Sequence, residues 1–457
     1  MQNEKFLEFR EKYGDFIYRG FSLEQATDEI RIFFDFEIVG LTSFHPETRI
    51  KTDNLIVVNG FDSPAGRNLV FSLGMVELIS YWKAACCKNV KILCGSLSDE
   101  QVSFWKKLYF NGLSEFFYRN GIETDIDSFI NITSSGEEYK KQDNMVSMGK
   151  NIIPVGGGKD SAVTAELMSD RRLDNLFFTV NNQQAGTETV KAAGYSENSI
   201  IRTYRTISPE LLELNKLGFL NGHTPFSAIV AFLSAYCAFL IGADYIVLSN
   251  ESIANDKNLI DAEVNHQYSK SYQFESDFVS YLKKFIVNGI NYFSILRPFN
   301  ELQIARQFSA YPKYFGEFRS CNRGSKTNVR CGECAKCLFV YSILSPFIKP
   351  ETLEAVFGKN MLDDLSLKED FDGLTGISPV KPFECVGTAD EVCFALTKTV
   401  EKYRNSGRKL PALLEYFDKS GKTAGRNILK EYNAENNIPT EFAQRITEMY
   451  KYVSSDN

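Results

Sequence analysis

Only three histidines and two tryptophans occur among 457 residues, and basic side chains do not outnumber acidic ones. With 51 Lys and Arg against 58 Asp and Glu, the formal net charge is -7. That balance argues against a nucleic-acid partner, because general nucleic-acid binders carry a basic excess to meet phosphates. The N-terminus "MQNEKFLEFREKYGDF" is charged throughout and lacks the apolar core of a signal peptide. There is no internal repeat and no low-complexity tract. The longest apolar run, "PFSAIVAFLSAYCAFLIGA" from Pro225, is broken by Ser227, Ser234, Tyr236 and Gly242. It reads as a buried helix packed on a sheet rather than a membrane span. The expectation is a cytoplasmic protein with no membrane segment.

What is present is ordinary for a globular chain, 44% hydrophobic and 24% charged, long enough for two or three domains. Of ten cysteines, Cys321, Cys331, Cys334 and Cys337 lie within seventeen residues, in "CNRGSKTNVRCGECAKC". Without a secretory signal, such a cluster reads as a metal site rather than a disulfide framework. Four thiolates suit tetrahedral zinc, and the Cys-x2-Cys steps let backbone N–H groups turn toward sulfur. A redox pair and an iron–sulfur cluster are the alternatives.

Residues 1–145 alternate strand-like and helix-like pieces. "RIFFDFEI" and "NLIVVNGF" read as strands, "GRNLVFSLGMVELISYWKAACC" as a helix, "NVKILCG" as a strand and the stretch around Trp105 and Phe110 as another helix. The polar segment "TSSGEEYKKQDN", residues 133–144, is the expected linker. From residue 151, "NIIPV", "LFFTVNN", "SIIRTYR" and "YIVLSNE" alternate with helical stretches, the pattern of a parallel α/β sheet. The expected organisation is an N-terminal α/β domain over 1–145, a nucleotide domain over 146–345 carrying the cysteine cluster, and a small helical region over 346–457.

The stretch "NIIPVGGGKDSAVTAELM" fits neither common phosphate-loop template. Asp160 follows Lys159 where Walker A needs Ser or Thr, and Ser161 stands where the dinucleotide fingerprint needs its third glycine. Three glycines at a strand-to-helix junction still leave backbone N–H groups uncovered, and the helix N-terminus adds partial positive charge. Lys159 can supply a formal charge and Ser161 a hydroxyl, while Asp160 caps the helix or holds a metal-bound water. Further along, "NGHTPFSA" sets His223 before a helix, and "LSNESIAND" brings Asn250 and Glu251 to the carboxyl edge of a strand. In "EVNHQYSKSYQFESDF", His266 and Lys270 are four apart and would share a helix face. Arg297, in "ILRPFNELQIA", is suited to bidentate capture of a carboxylate or phosphate.

"GGGKDS" resembles the SGGxDS signature of the PP-loop ATP pyrophosphatases, with Gly156 in place of the usual Ser. The resemblance implies a doubly wound parallel sheet, a diphosphate held by Gly156, Gly157, Gly158, Lys159, Asp160 and Ser161, and adenosine near "FFTVNN", with Thr179. The four-cysteine loop is similar to that of 7-cyano-7-deazaguanine synthases, also PP-loop enzymes. Taken together, "GGGKDS", "NGHTPFSA", "SNES", "VNHQYSKSYQFE", "LRPFNELQIA" and "SCN" running into "CGECAKCLFV" look like the UDP-N-acetylmuramoyl-L-alanyl-L-glutamate epimerases, the MurL family. That resemblance implies ATP-dependent inversion of the terminal L-Glu of UDP-MurNAc-L-Ala-L-Glu through an acyl-adenylate, releasing AMP and diphosphate in peptidoglycan precursor synthesis. It also implies magnesium, structural zinc, and a functional pairing with the ligase that adds L-Glu. The expected proton-transfer residues are His223 and His266, with Lys270 and Glu251 in reserve. Arg297 and Lys270 would hold anionic groups of the substrate. The rival expectations are 7-cyano-7-deazaguanine synthesis, tRNA thiolation and a nucleotide-binding module without catalysis.

Overall fold

Alternation of apolar and polar side chains over residues 29–38 buries Ile30, Ile32, Phe34, Phe36 and Ile38 on one strand face. Such strands build a single mixed sheet in the computed structural model, which describes residues 2–252, 268–321, 323–324, 327–380, 382, 384 and 386–455. Its strands are β1 (Asp15–Gln25), β2 (Glu29–Ile38), β3 (Thr42–Phe44), β4 (Glu47–Lys51), β5 (Asn89–Ile92), β6 (Asn131–Ser134), β7 (Lys150–Pro154), β8 (Asn175–Val180), β9 (Ile200–Thr206), β10 (Ala243–Leu248) and β11 (Asn291–Ser294). The helices of the first part are α1 (Gln2–Lys12), α2 (Pro64–Trp82), α3 (Asp99–Gly112) and α4 (Ser114–Arg119). Between and after the later strands come α5 (Lys159–Leu167), α6 (Gln184–Ala192), α7 (Pro209–Lys216), α8 (Phe226–Ile241), α9 (Tyr272–Tyr281), α10 (Glu301–Ser309) and α11 (Ala335–Leu344). The final part contributes α12 (Pro350–Phe357), α13 (Lys368–Leu374), α14 (Ala389–Asn405), α15 (Ala412–Ser420) and α16 (Ala443–Ser454).

The spatial order is β11-β10-β7-β8-β9-β4-β2-β1-β5-β6, with β3 on β2. Five strands, β11 to β9 in that order, are mutually parallel. Within them the chain leaves β7 through β8 in one direction and reaches β10 in the other, so strand order reverses at β7, which opens a crevice at the carboxyl ends. The pairs β9–β4, β4–β2 and β2–β1 are antiparallel, and β1, β5 and β6 are parallel again. Three reversals therefore set the β1–β5–β6 block against the direction of the β7–β11 block.

One core packs α2 and α8 on one sheet face; a second packs α5, α10, α11 and α14 on the other. The apolar run from Pro225 is the buried α8, ended by Gly242 in the left-handed region (φ 69°). Among the described residues no helix is long and apolar enough to cross a membrane. "NLIVVNGF" is not a strand. The N–H groups of Val58 and Asn59 donate to Leu240 O (2.8 and 3.2 Å) and Asn59 Nδ2 to Phe239 O (2.7 Å), so the segment caps the last turn of α8. Its backbone donors are thereby withdrawn from any sheet, and Ile56 is left 76% exposed. Within residues 133–144, Tyr139 stacks on Phe71 with ring centroids 4.9 Å apart and donates to Cys94 O (2.8 Å).

Candidate active site

The carboxyl end of β7 runs into Gly156, Gly157 and Gly158 and then α5. Gly157 has φ 83°, and a Cβ there would lie 2.4 Å from the Ala185 Cβ, so only glycine fits. Gly156 and Gly158 are open instead: a Cβ would meet only Gln183 Oε1 at 3.9 Å and Ser320 Oγ at 3.6 Å respectively. Gly158 begins α5 in extended conformation with no side-chain cap. Ser161 Oγ donates to Gly158 O (2.9 Å), and the Arg319 N–H donates to Gly157 O (2.7 Å). The result is a bare backbone concavity at a helix N-terminus, suited to an anion.

Lys159 does not point freely outward. Its side chain is 3% exposed and its ammonium contacts the carboxylates of Asp160 and Glu301, the latter 5% exposed. Burial alone would lower the Lys159 pKa, but these two carboxylates outweigh it and the net direction is up. Glu301 opens α10, beside α5, where Asn300 and Gln303 form a capping box. Burial pushes the Glu301 carboxyl up, while Lys159, Lys336 and Lys270 pull it down and prevail. Its N–H donates to Glu391 Oε1 (2.8 Å), whose other oxygen accepts from Thr388. Glu251, half-buried after β10, is raised by burial, then by Glu301 and Asp160, with Lys270 opposing. Asp160, Glu251 and Glu301 thus share one field with Lys159, Lys270 and Lys336.

Arg297 departs from its expected role. It is fully buried; Nη1 donates to Glu251 O (2.8 Å), and Nη2 to Lys270 O (2.7 Å) and Glu275 Oε2 (3.1 Å). With these partners turned inward, it positions Glu251 and Lys270 instead of facing a ligand. Lys270 lies in a short turn, Tyr268–Lys270; His266 lies outside the described residues. His223 sits before α8 with Nδ1 3.7 Å from Glu115 Oε2 on α4. Asn250 is half-buried, and its carbonyl accepts from Ser294 Oγ.

Beside Gly156 lies a cavity of about 180 Å³ lined by Val155, Phe178, Val180, Gln183, Phe226 and Val230. Thr179 is buried on β8 between two of these residues, and strand alternation turns it the other way, with its methyl 3.5 Å from the Cβ position of Gly186. A second cavity, about 530 Å³, begins at Ser252 and is lined by Asn300, Gln303, Glu391, Arg426 and Tyr432.

The sulfurs of Cys321, Cys331, Cys334 and Cys337 all lie within 4.8 Å of one another, with Cys321–Cys334 at 3.9 Å and Cys331–Cys337 at 3.8 Å. Tetrahedral bonds of about 2.3 Å set sulfur–sulfur edges of about 3.8 Å, so the donor set fits a metal ion. The N–H groups of Gly324 and Glu333 donate to Cys321 and Cys331 sulfur (3.3 and 3.5 Å).

Sequence reasoning singled out the glycine loop, Glu251, Lys270 and the cysteines, but passed over Glu301, Glu391 and Lys336. The available signal for Glu301 was its place after the capping Asn300 in "RPFNELQIA". Glu391 carried a similar one, Thr-x-x-Glu at the start of α14.

Residues 8–295 match the family described as the MurL N-terminal domain, and residues 317–426 match the MurL C-terminal domain. The chain belongs to the MurL family. Among MurL relatives, the UDP-N-acetyl-alpha-D-muramoyl-L-alanyl-L-glutamate epimerase of Xanthomonas oryzae pv. oryzae is 33% identical over 73% of this chain and 75% of its own. Proteins of the same name from Salinispora tropica and a Micromonospora species are 32% and 30% identical, each over 90% of this chain and over 89% and 91% of their own. No solved structure matches this MurL chain.

Proposed function

We propose that this MurL-family chain inverts the terminal L-Glu of UDP-MurNAc-L-Ala-L-Glu to D-Glu at the expense of ATP. The observation that carries the reading is the meeting of a bare glycine loop with Lys159, Glu251 and Lys270 at the carboxyl edge of one parallel sheet, in a chain whose relatives bear that epimerase name. The strand order and the loop support assigning residues 146–345 to the PP-loop ATP pyrophosphatases. The cavity beside Gly156, with its mostly apolar lining, has room for adenine, and the cleft from Ser252 has room for the nucleotide-sugar end of the substrate.

The chemistry follows from the carboxylate. Removing an α-proton beside a free carboxylate gathers charge against existing charge. A carboxylate oxygen of the glutamate therefore attacks the α-phosphorus of ATP, the α–β P–O bond breaks, and diphosphate leaves into the glycine loop. The acyl-adenylate has no carboxylate charge and a more acidic α-carbon. One side chain takes that proton, another returns one on the opposite face, and water then cleaves the anhydride to release AMP. Glu251, with its raised pKa, and Lys270 are the pair this reading favours; His266, four residues before Lys270, and His223 are the alternatives. Asp160, partly open to solvent, is the carboxylate to take a magnesium ion arriving with the nucleotide. The four-cysteine cluster is read as structural zinc. ATP and a nucleotide-linked precursor make the compartment the cytoplasm, downstream of the ligase that adds L-Glu.

The test is incubation with ATP, magnesium and UDP-MurNAc-L-Ala-L-Glu in deuterated water, followed by chiral analysis of the released glutamate. The expected result is D-Glu carrying α-deuterium, with AMP formed alongside. Glutamate that stays L and unlabelled, with ATP bound, refutes the reading.

A further inference from the structure

The glycine loop has room for a Cβ at Gly156 and Gly158, and what stands over Gly158 is Ser320 Oγ, 3.6 Å from the Cβ position. That placement is fixed on both sides. The residue before it ties its N–H to Gly157 O (2.7 Å), and the residue after it, Cys321, is a member of the thiol cluster. The Arg319 guanidinium is turned back into its own loop, donating to Asn328 O (3.1 Å), Gly316 O (2.6 Å) and Phe318 O (3.0 Å), so its charge braces the segment. Ser161 has spent its hydroxyl hydrogen on Gly158 O. Lys159 is shared between Asp160 and Glu301. The half-buried Ser320 hydroxyl, by contrast, makes no hydrogen bond among the described residues. It faces the loop with its donor uncommitted to any of them.

We propose that Ser320 donates its hydroxyl to the diphosphate held over the glycine loop, so that residues 319–321, which lead into the cysteine cluster, form one wall of the anion site. This rests on reading Gly156–Ser161 as the diphosphate site. A neutral donor matters here because the loop's own cation is already faced by two carboxylates. The arrangement also ties the thiol cluster to the site: through Cys321 it sets the path of residues 319–321 and hence the position of the hydroxyl.

The experiment is calorimetric titration of the full chain with magnesium pyrophosphate and, separately, with AMP, for the wild type, Ser320→Ala and Ser320→Thr, with metal content measured for each. Loss of one hydrogen bond to a charged group predicts pyrophosphate binding weaker by about tenfold or more in Ser320→Ala. Ser320→Thr should restore most of it, and AMP affinity and metal content should be unchanged in both. Wild-type pyrophosphate affinity in Ser320→Ala overturns the proposal, as does an equal loss for AMP, which would mark a structural role. A wild-type chain that binds AMP and not pyrophosphate removes the loop reading itself.

Discussion

Replacing Glu301 with Gln removes one negative charge from around the Lys159 ammonium while keeping the side chain's length and the backbone bond to Glu391. Both members of the wild-type pair are almost wholly buried, 3% and 5% exposed, so solvent does not screen their attraction as it does a surface pair's. Removing one partner of such a pair costs about 3–5 kcal/mol, since the other is left charged and dry. Asp160 remains beside Lys159 but is 31% exposed, which brings the expected loss to about 2–3 kcal/mol. Against a total stability of about 5–15 kcal/mol, that is readily read from denaturant unfolding at pH 7. Lys159→Met leaves Glu301 and Asp160 without their shared cation, and the double variant removes both sides. The cycle should return a coupling of about 1–3 kcal/mol. A Glu301→Gln protein within about 0.5 kcal/mol of wild type, or a coupling indistinguishable from zero, refutes the account of Lys159 as a cation held by Glu301.

Glu391 is buried with its pKa pushed up to about 7, chiefly by burial, against 4.5 in the unfolded chain. The native state then holds a proton that the unfolded state releases, so stability falls by about 3 kcal/mol as pH rises from about 4.5 to 7; urea unfolding across that window checks it, and Glu391→Gln should flatten the slope. Glu251→Gln and Lys270→Met should each lower epimerisation by about 10²–10⁴-fold with AMP still formed, measured by chiral analysis beside nucleotide chromatography. Arg297→Lys keeps the charge but loses the fork that joins Glu251 O to Lys270 O, and should cost about 3 kcal/mol of stability, read from denaturant unfolding. Cys334→Ser should bind less metal than the wild type by elemental analysis and have a lower melting temperature.

Strands with clear periodicity or continuous apolar runs, such as β2, β7 and β8, were legible, as was the buried α8. Residues 54–61 were not, because their apolar pattern is a strand's while their hydrogen bonds belong to the end of a helix far along the chain. The β4–β9 pair has no local signature either: two short polar-flanked strands meet across a long stretch of intervening chain. At the site, the glycine turn and the gathering of four cysteines were legible because backbone geometry and ligand count constrain residue type closely. Arg297 carries no such mark, because a guanidinium suits an internal clamp as well as an anion, and only burial tells them apart. Glu301 and Glu391 escaped because a carboxylate at a helix start is ordinary until its neighbours are known.

The antiparallel seam at β4–β9 bears on how this chain can be cut. A break near residue 145 would strip β4 from β9 and leave a four-residue stretch, Thr203 to Thr206, without its partner. An open edge of that kind recruits other chains. Expression of residues 146–457 alone therefore calls for a charged substitution or a proline on β9, because β4 is what covers that edge in the full chain.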